Sequence, residues 1–392
     1  MLVLTVGTQA SASTWVFNVV RAIFTLYRPE ALSDMAERGA YALRCLGRGA
    51  QDVVFKAHTV DQDLINLALL AEAKVIVTSR DPGDILVSQA DRFGYDFKLA
   101  AAHLSHSLAS IASLPPELDV LYLRYEDGFF DSISTVFDIA NFIETPVSSA
   151  EAEAIAASLT SSAIASHIDD WMTINGVTDG SHWEADTHWH PGHLGDGKVG
   201  KWRDRLSNDQ QNAMASALAP LDVGQRWSDH AIVWQPELFH FTPIEGTHDL
   251  EVDGRSRPLV HGPYFHLPAG LWRMTPLLEI VSGGPLCVKI DVFTLADGRG
   301  VLELKTVTLP TSHLGRLACE VDVVDHGHPL ELRIESAADG QKGRLRFLGV
   351  RLEQVGESDG RAPPQAKSVA KTIKHGSTRS MEEGAFTRSQ RN

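Results

Sequence analysis

"TVGTQASASTWVFNVVRAI", residues 5–23, decides the fold. A short apolar run enters Gly7 and a cluster of small and hydroxyl residues, then leaves through Trp15 into an amphipathic stretch. That order reads as strand, tight loop and helix. Backbone N–H groups at such a helix N-terminus, together with the helix dipole, favour a phosphate. Ser11, Ser13 and Thr14 add hydroxyl donors, and Ala12 lets the backbone come close. The same hydroxyls serve equally as ordinary helix N-caps. The loop has no Lys or Arg, and the Walker pattern of Lys before Ser or Thr is absent.

Outward from this stretch, strands and helices alternate up to about residue 230. "DVVFKAH" (52–58), "KVIVTSR" (74–80) and "LDVLYLRYED" (118–127) read as strands, and the second has the continuous apolar character of a buried parallel strand. "DLINLALLAEA" (63–73) has helical apolar spacing, and helices are expected at 14–27, 131–143 and 148–159. The fold class predicted is α/β, a P-loop-like parallel sheet flanked by helices. From about residue 233 the texture changes to short alternating strands, such as "LCVKIDVFTL" and "PLELRIES", separated by turns such as "ADGRG". This predicts a C-terminal all-β sandwich. The domains expected are 1–232, nucleotide-binding; 233–354, a β-sandwich that folds on its own and is a candidate for carbohydrate binding through Tyr264, Phe265 and Trp272; and 355–392, a polar, locally basic, disordered tail.

Composition narrows the partners. In 392 residues, 43% hydrophobic content marks a folded protein, and a net charge of −15 argues against generic binding to nucleic acid or an anionic membrane. Cys45, Cys287 and Cys319 are too few and too scattered for a disulfide framework or a zinc site. The His-rich run at 182–193 has irregular spacing and few carboxylates, so no metal is expected. "MLVLTV" has the length of a strand, no signal peptide is read, and no run approaches the roughly 18 apolar residues of a membrane span, so a cytoplasmic location is expected.

Three further motifs carry chemistry. Arg80 ends a strand at the turn Asp81-Pro82-Gly83, and Ser88 follows inside the next helix, so a guanidinium fork and a hydroxyl can grip one phosphate. Lys56 and His58 alternate on one strand end and therefore share a face, placing a cation beside the usual general base. Gly192, Gly195, Gly197 and Gly200 interrupt a loop carrying Lys198, Lys201 and Trp202, a pattern suited to closing over an anion. Each motif alone has a plain reading: a surface ion pair, a structural histidine, a solvated loop.

In this order and spacing the motifs resemble the sulfotransferases that use 3′-phosphoadenosine 5′-phosphosulfate, over roughly residues 1–215. That family's P-[KR]-S-x-[ST]-T-W loop aligns with Gln9 to Trp15, its K-x-H with Lys56-Ala57-His58, and its R-[DN]-P-x-D-x-x-x-S with Arg80 to Ser88. Its "lryEd" strand and the helix ending "iaxFig" align with "LRYEDG" and "DIANFI". Its R-K-G-x-x-G-x-W loop aligns with Gly195 to Trp202. The resemblance implies that His58 accepts the acceptor's proton. It gives the 5′-phosphosulfate to Ser11, Ala12, Ser13 and Thr14, the 3′-phosphate to Arg80 and Ser88, and the adenine to Trp15. Two departures stand out. Ala10 occupies the place of the family's loop cation, and Gly195-Asp196 that of its Arg-Lys pair. Lys56 is the expected substitute for the first, and Lys198 or Lys201 for the second. The appended sandwich tilts the expected acceptor toward a saccharide. A nucleotide kinase on the same topology is the competing enzyme, weakened by the missing Walker Lys. A degenerate binding protein is the competing non-enzyme, with Ala10 as its evidence.

Overall fold

The continuous apolar runs become the inner strands of a five-stranded parallel sheet in the computed structural model. The structure describes residues 1–47, 49, 51–177, 182–217, 232–244, 247–294, 301–309, 319–323, 327–337 and 340–357. Strands β1 (Leu2–Gly7), β2 (Leu32–Met35), β3 (Val53–Ala57), β4 (Lys74–Ser79) and β5 (Asp119–Arg124) lie in the order β2-β3-β1-β4-β5. β1 is central and buried at every position, as a strand covered on both faces must be. Helices α1 (Ser13–Tyr27), α2 (Gly39–Leu46), α3 (Gln62–Leu70), α4 (Pro82–Phe93) and α5 (Phe97–Ala112) alternate with these strands. Helices α6 (Ile133–Phe142), α7 (Ser149–Ser158), α8 (Ser161–Asn175), α9 (Trp202–Arg205) and α10 (Asn208–Ala217) follow. The order reverses around β1, so the carboxyl ends of β1, β3 and β4 face one crevice, where ligands bind in open α/β sheets.

The second architecture begins at Ile232. β6 (Ile232–Trp234), β7 (His240–Phe241), β8 (Asp249–Asp253), β9 (Arg257–Phe265), β10 (Gly270–Gly283), β11 (Leu286–Thr294), β12 (Val301–Leu309), β13 (Cys319–Val323), β14 (Leu330–Ser336) and β15 (Lys342–Gly356) form two antiparallel sheets. One runs β13-β10-β15-β6 with β8 also on β15, and the other β12-β11-β14-β9-β7. Phe265 and Trp272 are 1% and 0% exposed and fill the sandwich core. The expectation that they offer sugar-stacking faces is corrected by the pleat: alternate residues face inward. Tyr264 points the other way, with its hydroxyl between His261 and Glu331.

The hydrophobic core does not stop at residue 232. Ile85 and Leu86 of α4 and Leu104 and Leu108 of α5 belong to the same buried cluster as Trp234, Phe239 and Phe265 of the sandwich. Ser105 Oγ donates to the His266 carbonyl at 3.1 Å, and His106 stacks on His266 at 3.7 Å between ring centres. The change of texture therefore marks a change of architecture, while the packing is continuous across it. At the far end β15 extends to Gly356, so the expected tail loses its first two residues to a strand; residues 358–392 lie outside the described residues. Among the described residues Cys45, Cys287 and Cys319 form no disulfide. Among the described residues no helix is long and apolar enough to cross a membrane.

Candidate active site

The loop between β1 and α1 has an unusual backbone for its sequence. Ala10 and Ala12 have φ of 65° and 63°, the left-handed region that disfavours a Cβ. Two such residues in one loop bend the chain into a concavity of amide groups suited to an anion. Gly7 precedes it because a Cβ there would meet Thr78 Oγ1 at 1.9 Å. Ser13 and Thr14 begin α1, and among the described residues neither hydroxyl has a protein partner. Ser11 differs: it is fully buried, bound to the Thr8 carbonyl at 2.6 Å and Thr78 Oγ1 at 2.7 Å. It shapes the loop and does not line the crevice.

The crevice is a cavity of about 470 Å³. It brings together Ala12, Ser13, Thr14, Trp15, Lys56, His58, Arg80, Ser88 and Lys201 of the residues expected from sequence. Trp15 reaches it from α1, held by its Nε1 donating to the Leu159 carbonyl at 3.1 Å and lying edge-on to Phe129. Lys198 contributes only its carbonyl; its side chain is not part of the wall. Lys201 is half-neutralised by Asp196 at 3.3 Å and Asp91 at 3.7 Å.

Arg80 is 8% exposed. Its Nη1 donates to the Ala10 carbonyl and its Nη2 to the Lys198 carbonyl, both at 2.9 Å. The guanidinium lies over the Tyr125 ring at 4.0 Å, and its Nε has no partner. Arg80 thus ties the first loop to the glycine-rich loop. Asp84 does the same from α4: its carboxylate accepts from the Gly200 amide at 2.6 Å and the Trp202 amide at 3.3 Å. Trp202 packs on Gly83, where a Cβ would meet the indole at 2.4 Å. Sequence reasoning quoted Asp84 and Trp202 inside motifs without giving them this anchoring role.

Lys56 and His58 emerge from the end of β3. Lys56 is 4% exposed with no ion pair among the described residues, and burial beside the Arg92 cation lowers its pKa to about 8. His58 Nδ1 lies 2.8 Å from the Gly7 carbonyl. A carbonyl only accepts, so Nδ1 carries the proton and Nε2 is left with its lone pair. Burial, then the positive field of Lys56, lowers the His58 pKa to about 3, so the ring is neutral at pH 7.

Sequence reasoning assigned no role to Arg92 or to three further histidines that line the same cavity. Arg92 Nη2 is 3.5 Å from His190 Nε2, and its Nε is buried without a partner. His188 Nε2 and His193 Nδ1 are likewise buried and unpartnered. The signal was Arg92's place one helical turn beyond Ser88, on the same face of α4. Among the described residues no group of three or more His, Cys, Asp or Glu is disposed to hold a metal ion. The site presents amides, free hydroxyls, two buried cations and a half-buried third, Arg92, none with a carboxylate partner among the described residues, and this donor set fits a polyanionic ligand.

Residues 48–221 match the family model described as the sulfotransferase domain. This region of the chain carries that domain, and the match leaves out the opening loop. No curated protein matches. Among solved structures, the chain is similar to retinol dehydratase in complex with androsterone and the inactive cofactor PAP: 17% identity, 58% of this chain and 83% of that one, TM-score 0.39. It is similar to a mouse sulfotransferase complexed with PAP: 17% identity, 54% and 79% covered, TM-score 0.39. It is also similar to a xylan-binding domain from Paenibacillus barcinonensis: 14% identity, 33% and 83% covered, TM-score 0.22.

Proposed function

We propose that this protein is a sulfotransferase that moves a sulfuryl group from 3′-phosphoadenosine 5′-phosphosulfate to an acceptor hydroxyl, with a saccharide as the favoured acceptor. The observation that carries the reading is the pair of buried cations without carboxylate partners among the described residues, Lys56 and Arg80, in one cavity at the carboxyl ends of β3 and β4 beside the amide-lined loop after β1. The donor supplies the sulfuryl group and a bisphosphate leaving group. The amides of the Ala10–Thr14 loop and the hydroxyls of Ser13 and Thr14 hold its 5′ end, and Arg80 and Ser88 hold the 3′-phosphate. Trp15 closes one wall against the adenine. His58 Nε2 takes the acceptor's proton as the acceptor oxygen bonds to sulfur and the bond from sulfur to the phosphate oxygen breaks. Lys56 meets the charge that develops on that leaving oxygen, the task of the loop cation replaced here by Ala10. The low pKa of His58 arises first from burial and then from the surrounding positive charge, and a bound polyanion offsets the second of these and raises its basicity.

The reading is tested by titrating adenosine 3′,5′-bisphosphate into the protein in a calorimeter. Arg80→Ala removes a charged donor and is expected to cost about 1.5–3 kcal/mol of nucleotide affinity. Unchanged affinity overturns the site assignment. A second reading, a sulfotransferase fold that binds without turnover, is favoured by Ala10 alone. Labelled phosphosulfate donor with mixed glycan acceptors separates the two: transfer for the enzyme, binding without transfer for the scaffold.

A further inference from the structure

The proposed donor accounts for two of the three cations without carboxylate partners, the buried Lys56 and Arg80. Lys56 faces the transferring end and Arg80 the 3′-phosphate. Arg92 remains. It lies one turn beyond Ser88 on α4, and its one described polar neighbour is a histidine nitrogen, His190 Nε2, at 3.5 Å. No carboxylate among the described residues pairs with it, and the charge closest in effect is a second cation, Arg80. A guanidinium held in such surroundings is costly unless an anion completes it. It lines the same cavity as Lys56, His58, His190 and His193, and the histidine 3.5 Å from its Nη2 is one of them. Arg92 lies 5.4 Å from the centre of the Phe93 ring, which is 40% exposed, and Trp183, 63% exposed, lines the same cavity. Exposed aromatic faces beside an unpaired planar fork suit a ring that carries an acidic substituent.

We infer, resting on the donor assignment above, that Arg92 is the specificity determinant for an acidic acceptor: the hydroxyl compound sulfated here carries a carboxylate or a sulfate ester that the Arg92 fork binds while His58 faces the hydroxyl. An acidic saccharide, a uronate or an already sulfated sugar, has this chemistry. The fork binds either anion through two parallel N–H donors.

The test uses the full chain saturated with adenosine 3′,5′-bisphosphate. Three acceptor probes are titrated that share one aromatic aglycone: 4-methylumbelliferyl β-D-glucuronide, the corresponding glucoside 6-sulfate, and the neutral glucoside. At least one anionic probe is expected to bind about tenfold or more tightly than the neutral one, the effect of one charge-assisted hydrogen bond. Preference for the glucuronide identifies a carboxylate, and preference for the 6-sulfate a sulfate ester. Arg92→Gln is expected to collapse the ratio to within about twofold at unchanged bisphosphate affinity, and Arg92→Lys to keep part of it, the point charge without the fork. Equal binding of the three probes, or binding of none by a protein that holds the bisphosphate, overturns the inference. So does a preference that survives Arg92→Gln. A tenfold loss of bisphosphate affinity in Arg92→Gln also overturns it and gives Arg92 to the donor. Failure of the wild type to bind the bisphosphate overturns the donor reading instead, and with it the division of the cavity on which this inference stands.

Discussion

The sandwich and the sheet crevice treat positive charge in opposite ways. On the sandwich, Arg273 pairs with Glu320 at 2.7 Å, Arg346 with Asp249 at 2.7 Å, Arg333 with Glu331 at 2.8 Å and Arg351 with Glu353 at 2.6 Å. Arg273–Glu320 and Arg351–Glu353 are water-accessible, where an ion pair is worth about 0–1 kcal/mol, while Asp249 and Glu331 are buried beneath their arginines. In the crevice, Lys56, Arg80 and Arg92 are largely shielded from water and have no carboxylate partner among the described residues. Pairing is thus supplied on the sandwich, to exposed and buried carboxylates alike, and withheld in the crevice. A fold selected for stability alone would pair the crevice too, so the unpaired set is kept for a charge that arrives from outside.

The two regions nevertheless share one core, and cutting between them gives the largest expected effect. Removing everything after residue 232 strips cover from Ile85, Leu86, Leu104 and Leu108. At about 1.5–3 kcal/mol for each buried side chain, the loss is about 6–12 kcal/mol, an upper bound because the denatured chain already hides part of that surface. This is comparable with the whole stability of an ordinary domain, about 5–15 kcal/mol. A fragment of residues 1–232 is expected to be insoluble or to lack a cooperative melt. A soluble fragment with a sharp thermal transition and full bisphosphate affinity would show that the regions are energetically separate despite the shared core.

Within the crevice, His58→Ala is expected to lower turnover by about 10²–10⁴-fold, the usual worth of a positioned general base. Nucleotide affinity should change little, since the neutral ring contributes no charge to the phosphates. Steady-state kinetics and calorimetry on the same variant check both halves. Wild-type turnover in that variant would remove His58 from the mechanism.

Much of this was legible in the sequence because it is local. The strand-loop-helix of residues 5–23, the K-x-H strand end and the Arg80–Ser88 spacing each need only one turn of chain to be recognised, and the structure gathers Ser13, Thr14, Lys56, His58, Arg80 and Ser88 around one cavity. What escaped depends on distant contacts. Ser11 looks like its neighbours, yet Thr78, from another strand, takes its hydroxyl. Lys198 looked like a phosphate ligand, yet its carbonyl is what Arg80 uses. Phe265 and Trp272 looked like binding faces because pattern alone does not say which side of a pleat is covered. The short β2 and the helices α2, α5 and α8 are not among the elements expected from the sequence; β2 and α2 are only four and eight residues long. Arg92 carries no motif at all. Its meaning lies in the absence of an anion nearby, which no single stretch of sequence displays.

A smaller effect separates a free crevice from an occupied one. Burial beside Arg92 lowers the Lys56 pKa to about 8, so the amine loses its charge as pH rises through 8 in the free protein. An anion favours the charged form, so binding must raise that pKa and draw in a proton at alkaline pH. Calorimetry of bisphosphate binding at pH 8.5, in buffers of different ionisation enthalpy, is expected to show uptake of a fraction of a proton. Lys56→Met should abolish it, and the wild-type affinity should fall between pH 7 and 9. Identical proton uptake in wild type and Lys56→Met would place the titrating group elsewhere.

The last effect concerns the loop that opened the sequence. Ala10 lines the cavity, and its carbonyl is fixed by Arg80 at 2.9 Å. Its φ of 65° disfavours any side chain with a Cβ, and alanine already has one. Ala10→Lys therefore adds little backbone strain and introduces a flexible cation that can extend several ångströms into the cavity. In the wild type the new amine should change turnover little, because Lys56 already supplies the charge. In a Lys56→Ala background, turnover should first fall by an amount of the order of that for one lost transition-state donor, about 100-fold. Ala10→Lys should then recover part of it, incompletely because Arg80 and Tyr125 leave the new side chain no prepared rest position. Single-turnover rates of the two variants and the double variant form a cycle that isolates the exchange from effects on binding. Additive rates, with no recovery in the double variant, would show that the two positions do not serve the same developing charge, and the compensation of Ala10 by Lys56 would fall.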